Sequence, residues 1–311
     1  MAPSSFSVSA GDGRPLAAHH WTPPPGEAPV GVVVLIHGMG EHIRRYDHVA
    51  EALDVAGFDV YGYDHRGHGQ SRRPDEAPGN LGPQGWAGLI GDIGLVVAEA
   101  RSRHPDLPLT LVAHSMGSFA VQQFLLTRGG EVDAVALTGT AALDLLEPLF
   151  DLSSDIDLSA FNAPFAPART DFDWLSRDEA AVDAYISDPD CGSGIDAQSA
   201  QDMFVGARQL ADPTRVALIP AALPIYVAVG SMDPVNGGLT LLWPLVDRLR
   251  AAGVDDVTVR VYDDARHELF NETNRTAVLD DLVQWARQMA ANLPANAIDA
   301  SVAGTTDEGE R

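Results

Sequence analysis

Residues Leu109 to Arg128 read LTLVAHSMGSFAVQQFLLTR, in which a single serine joins a strand to a helix. The apolar run Leu109, Thr110, Leu111 and Val112 stops at Ala113-His114-Ser115-Met116-Gly117. Phe119, Ala120, Phe124 and Leu125 then recur at helical spacing. A turn this tight needs small residues on either side of the serine, and Ala113 and Gly117 supply them. Such a turn lifts the Ser115 hydroxyl clear of the sheet and points the N–H groups that open the helix at the same spot.

A serine hydroxyl is a weak nucleophile at neutral pH, so this arrangement needs a base and an acid that orients the base. Pro224 to Gly230 is a second buried-strand run, and it stops at Ser231-Met232-Asp233-Pro234. Val257 to Tyr262 alternates like a strand and is followed by Asp263-Asp264-Ala265-Arg266-His267-Glu268. Acid after one strand and histidine after the next, both following the serine, is the chain order of the α/β hydrolases. The plainer readings are an Asp-Pro turn for Asp233 and a loop histidine for His267. Of the ten histidines, however, His267 alone follows a late strand beyond the acid.

Upstream, Val32 to Ile36 is continuously apolar, as a parallel strand covered on both faces must be. It ends at His37-Gly38-Met39-Gly40-Glu41-His42, a Gly-flanked turn able to present the Met39 N–H beside the serine. The second donor is the N–H of Met116, directly after Ser115. Removing one such oxyanion donor typically costs roughly 3–4 kcal/mol of transition-state stabilisation.

These stretches resemble the α/β-hydrolase superfamily, and within it the monoacylglycerol lipase and lysophospholipase-like group, also called the serine aminopeptidase S33 or hydrolase-4 family. His37 to His42 with Arg45-Tyr46 is similar to the oxyanion loop of that group. Tyr63-Asp64-His65-Arg66-Gly67-His68-Gly69-Gln70-Ser71 resembles its D-x-R-G-H-G-x-S turn. His114 to Gly117 resembles its elbow, Gly230 to Val235 its acid loop, and Ala265 to Glu272 its histidine loop. The likeness spans Phe6 to about Leu293. Two departures are Ala113, where the family usually has glycine, and Ser118, where it often has a second one. The resemblance implies a mostly parallel eight-stranded sheet flanked by helices, with an inserted cap. It also implies a carboxylic-ester hydrolase acting on a monoacyl lipid or related small ester without a cofactor. Ser115, Asp233 and His267 would be catalytic, with Met39 and Met116 as the oxyanion hole. Glu41 and Arg45 would meet a polar leaving group, and His114 would border the acyl pocket. An aminopeptidase or amidase is the alternative; no acidic cluster beside the elbow plainly awaits a substrate N-terminus, but Glu41 or residues of the cap could receive one. Epoxide hydrolases and haloalkane dehalogenases place an aspartate where Ser115 stands.

The rest of the chain fits this expectation. Phe6 to Trp21 reads as a hairpin broken at Gly11-Asp12-Gly13, and Thr22 to Pro29 as a Pro-rich connector. Helices are expected over Tyr46–Ala56, Trp86–His104, Leu239–Ala251 and Asn274–Asn292, and further strands over Phe58–Tyr63 and Val132–Thr138. From Gly139 to Arg215 the alternation lapses, apart from helical stretches near Arg177–Ser187 and Ala197–Ala211. Roughly seventy residues is too long for a plain loop, so residues 140–215 read as a cap between two parts of a core, 1–139 and 216–293. Residues 294–311 read as a disordered acidic tail.

The net charge of −24 argues against nucleic acid and anionic membrane surfaces as partners. All 20 basic residues are arginine, which reads as coding bias. The start lacks a basic and an apolar region, and no run is long enough to span a bilayer, so a cytoplasmic protein is expected. Cys191 is the single cysteine and reads as a buried free thiol. His65-x-x-His68 and Glu41-His42 lack a third ligand at suitable spacing, so no metal is expected. The Asp64 turn reads as a buttress for the floor of the site.

Overall fold

A computed structural model describes residues 3–23, 28–150, 152 and 157–292. Part of the Thr22–Pro29 connector and the acidic tail at 294–311 lie outside these residues. The strands are β1 (Ser4–Ser9), β2 (Pro15–Trp21), β3 (Gly31–Ile36), β4 (Phe58–Tyr63), β5 (Leu109–His114), β6 (Ala134–Thr138), β7 (Ile225–Gly230) and β8 (Val257–Tyr262). They form one eight-stranded sheet in the order β1-β2-β4-β3-β5-β6-β7-β8. β2 runs antiparallel to both neighbours, and the other pairs are parallel.

The continuous apolar runs are central strands because both faces of the sheet are covered. Val32, Val34 and Ile36 point into one core, and Val33 and Leu35 into the other. On the first side the sheet packs on α2 (Gly85–Arg103), α3 (Met116–Arg128) and α8 (Leu242–Ala251), through Ile93, Val96, Phe124 and Leu245. On the second it packs on α1 (Asp47–Val55) and α9 (Arg275–Asn292), through Val49, Leu53, Leu282 and Trp285. β3 leads on one side to β4 and on the other to β5, so the strand order reverses there. A ligand crevice is expected at the carboxyl ends of the strands at such a point.

Between β6 and β7 lie α4 (Leu143–Leu146), α5 (Glu179–Ser187), α6 (Ala197–Ala207) and α7 (Pro213–Val216), linked by 3-10 turns. Asp178, Asp196 and Asp212 cap α5, α6 and α7 by accepting backbone N–H groups. α5 therefore begins at Glu179 instead of near Arg177, whose Nε donates instead to Glu272 at 2.9 Å. Similarly, α8 begins at Leu242 and not at Leu239. Gly237, Gly238 and Leu239 all have positive φ (62°, 58° and 77°), a left-handed run incompatible with a helix start. The Asn236 side chain fixes that run by accepting the Leu239 N–H at 2.7 Å.

A buried ion pair joins α2 to the turn after β4. Arg66 donates from Nε to Asp92 Oδ2 at 2.7 Å and from Nη2 to Oδ1 at 2.9 Å, with the guanidinium fully buried. Breaking a buried pair costs about 3–5 kcal/mol, and without Asp92 the Arg66 guanidinium keeps only the longer carboxylate contact to Asp12, at 3.5 Å. Asp92→Ala is therefore expected to lower the urea midpoint of unfolding by that equivalent, whereas exposed Glu99→Ala should hardly move it.

Candidate active site

Ser115 follows β5 and opens α3 with φ 50° and ψ −122°, a conformation few non-glycine residues adopt. Strain of this kind costs of order 1–3 kcal/mol and persists only where the surroundings enforce it. Here they do. The Ser115 N–H donates to Thr138 O at 2.9 Å, and its carbonyl accepts from Phe119 N at 3.0 Å and Ser118 Oγ at 2.6 Å. Thr140 Oγ1 lies 2.9 Å from Ser118 Oγ and donates to it, because the one Ser118 hydroxyl proton is given to the Ser115 carbonyl, so the serine at this position braces the elbow. A Cβ on Gly117 would lie 2.5 Å from His37 O, so only glycine lets α3 approach β3 this closely.

The acid and histidine loops meet this serine. His267 Nδ1–H donates to Asp233 Oδ2 at 2.9 Å, and Nε2 faces Ser115 Oγ at 2.8 Å. Ser115 is partly exposed, while the other two side chains are buried. Val235 N–H occupies Asp233 Oδ1 at 2.8 Å, which leaves Oδ2 for the imidazole. Gly230 lets the loops touch, because a Cβ there would collide with the carbonyls of Ala265 and Arg266. Burial alone would lower the pKa of His267. The charge and hydrogen bond of Asp233, helped by Glu268 and Glu41, outweigh it and hold the pKa above its ordinary value.

Met39 and Met116 line the same apolar cavity as Ser115, together with Phe119, Leu146, Phe150 and Trp174. The loop carrying Met39 is locked from below. His65 N–H donates to His37 Nε2 at 2.9 Å, and the His65 ring donates back to His37 O at 3.0 Å. Burial, with imidazole neighbours, keeps His37 far below its usual pKa and takes His65 down to about 3. Both rings are thus neutral hydrogen-bonding struts. Asp64 holds the same layer by accepting from Ile43 N and Gln70 N, each at 2.8 Å.

Glu41, Arg45 and His114 do not line the cavity around Ser115. Glu41 accepts from Gly38 N at 2.6 Å, Tyr46 OH at 2.7 Å and Arg45 Nη1 at 2.6 Å. Arg45 also forks onto Glu268 at 2.6 and 2.7 Å. The Arg45 guanidinium is thus held between two buried carboxylates beside the loop after β3 and away from the cavity around Ser115. His114 is buried, bonded to Thr138 Oγ1 at 3.1 Å, with its ring centroid 4.8 Å from that of His267.

Three features of the histidine loop escape sequence reading. Glu268 pairs with Arg45, as above. Glu272, fully buried, accepts from Arg266 N at 2.8 Å and from Arg177 N and Nε at 3.1 and 2.9 Å. Trp174 packs on His267 with ring centroids 5.0 Å apart. Trp174 O and Leu175 O accept the N–H groups of His267 and Glu268 at 3.4 and 2.7 Å. The only sequence signal for these was that both glutamates fall within the quoted Ala265–Glu272 stretch.

The sheet order, the elbow and the two loops define an α/β hydrolase. Residues 27–274 match the model of the family described as Serine aminopeptidase, S33 (Hydrolase_4), and the chain belongs to that family. It is 35% identical over 288 residues to the monoacylglycerol lipase of Mycolicibacterium smegmatis, covering 91% of this chain and 96% of that one. It is 27% identical to the monoglyceride lipase of Homo sapiens, covering 90% and 89% of the two chains. The solved structure of a thermostable carboxyl esterase from Bacillus coagulans superposes with a TM-score of 0.82 at 26% identity, covering 93% and 99%. No helix among the described residues is long and apolar enough to cross a membrane.

The electrostatics of His267 can be read directly. In an NMR titration its imidazole should protonate above the free value of about 6.5. In Asp233→Asn the midpoint should fall below that value, since burial is then no longer opposed by the carboxylate.

Proposed function

We propose that this chain hydrolyses monoacylglycerol- or lysophospholipid-like esters through an acyl-enzyme on Ser115. The coarser class, carboxylic-ester hydrolase, is that of its lipase and esterase relatives. The observation that carries the mechanism is the unbroken line from Asp233 Oδ2 through both nitrogens of His267 to Ser115 Oγ, at 2.9 and 2.8 Å. Ser115 attacks the acyl carbonyl while His267 takes its proton, and Asp233 stabilises the imidazolium that forms. The Met39 and Met116 amides receive the oxyanion. His267 then protonates the departing alcohol, and water repeats the sequence to free the acid.

Substrate class rests on the lining of the cavity. Above Ser115 it is built from Leu143, Leu146, Phe150, Leu158, Phe161 and Trp174. We read residues 140–215 as the cap that supplies this roof, and an acyl chain as what it covers. Each methylene withdrawn from water contributes about 0.8 kcal/mol. The lining favours an ester over a peptide N-terminus, because no carboxylate faces the cavity among the described residues. Glu41 and Glu268 are both engaged by Arg45.

Ser115→Ala should abolish ester turnover and labelling by a fluorophosphonate while leaving the unfolding midpoint nearly unchanged. His267→Ala should be comparably inactive, and Asp233→Asn somewhat less impaired, because the three act as a unit. Near-normal esterase activity in Ser115→Ala would rule out the mechanism. The acyl site is tested with a panel of p-nitrophenyl esters. Phe150→Ala and Leu146→Trp are expected to shift the preferred chain length while acetate is still turned over. Identical chain-length profiles in both variants would place the acyl chain elsewhere.

A further inference from the structure

We propose that His42, Asp188 and Cys191 form a site for one zinc-class divalent cation at the seam between the oxyanion loop and the turn after α5. From sequence, His42 lacks partners at metal-binding spacing. The fold brings it two from a distant segment. The imidazole nitrogen, a carboxylate oxygen and the sulfur all lie within 4.8 Å of one another, and His42 Nε2 is 2.9 Å from Asp188 Oδ2. Tetrahedral zinc holds its ligand atoms roughly 3.5 Å apart, given metal–ligand bonds of about 2.0–2.3 Å. Small side-chain rotations therefore close the set.

The donors suit that ion. One nitrogen, one sulfur and one carboxylate match zinc, whereas magnesium and calcium take oxygen ligands. Three protein ligands leave a fourth position for water. The backbone already fixes both sides of the site. Cys191 N–H donates to Asp188 O at 3.1 Å, closing the turn that carries two ligands. Asp190 N–H donates to Asp188 Oδ1 at 2.9 Å, which turns Oδ2 toward His42. Gly192 N–H donates to Gly40 O at 2.9 Å, joining that turn to the oxyanion loop. All three ligands are half-buried, so an ion reaches them from solvent.

A free cysteine is predominantly a thiol at neutral pH, whereas a metal binds the thiolate. Binding therefore forms one sulfur–metal bond and releases the thiol proton to solvent, with no change of oxidation state. None of the three ligands lines the cavity around Ser115. The ion is thus a brace that fastens the inserted segment to the loop bearing Met39, and it takes no part in the proposed hydrolysis.

The test uses the full chain, stripped of metal with a chelator and titrated with zinc chloride and then with cobalt(II). The wild-type chain should take up one equivalent of zinc, and its cobalt form should show a thiolate-to-cobalt charge-transfer band. Cys191→Ser should abolish that band and weaken zinc binding at least about tenfold, in line with what lost metal-site interactions cost. In the wild-type chain, zinc should slow alkylation of Cys191 by iodoacetamide to a similar degree, a readout that needs no variant. Equal zinc affinity in Cys191→Ser, a cobalt spectrum without the thiolate band, or unprotected alkylation would each overturn the proposal.

Discussion

The contact of α3 with the carboxyl end of β3 is the constraint on which the site depends. A helix that starts one residue after a strand must turn sharply, and Gly117 lets its first turn lie against the carbonyls of Ile36 and His37. That approach forces Ser115 into positive φ and sets its hydroxyl above the sheet. The register of β5 between β3 and β6, with Ala113 opposite both Ile36 and Leu137, then fixes where the neighbouring loops emerge. The strain at Ser115 is local, while the hydrogen bonds opposing it come from β6, α3 and the segment after β6.

Charge inside the protein is organised by arginine forks. Arg14 with Glu76, Arg66 with Asp92, Arg248 with Asp144 and Arg45 with Glu268 each make two parallel contacts to a carboxylate. A planar guanidinium satisfies both carboxylate oxygens at once, which a lysine ammonium does not. In a chain without lysine, an interior carboxylate that draws on a cationic side chain other than histidine draws on arginine. The Arg45 cluster also has an electrostatic reach. Its two carboxylates add to the field favouring the His267 imidazolium.

What the sequence disclosed depended on how local the cause was. The strands were readable because burial on both faces makes them continuously apolar, as in Val32 to Ile36. Ser115 and Asp233 were readable because each follows such a run, and His267 because it follows the alternating run Val257 to Tyr262. The destinations of Glu41 and Arg45 were not, since the pairing of Arg45 with Glu268 spans 223 positions. Glu272 posed the same difficulty, because its partner Arg177 is 95 positions away. The inserted segment was legible only as an interruption. Its short helices start at capping aspartates and its path is tied to the histidine loop, which no periodic pattern announces. Helix ends moved by one to three residues where a cap or a left-handed run intervened, as at Asp178 and Leu239.

The roof and the base of this site stand on common footings. The amides of His267 and Glu268 hang from the carbonyls of Trp174 and Leu175, and Arg266 reaches back to the carbonyls of Asp173 and Ser176. Glu272 ties both sides together from below. The inserted segment is therefore scaffolding for the imidazole as well as a cover for the cavity. The α/β core cannot be trimmed to a smaller working unit at this seam, because cutting away the cover would also unhook the histidine loop. The stretch around Trp174 must therefore keep its backbone path for the imidazole to stay where it is, whatever side chains the rest of the roof carries.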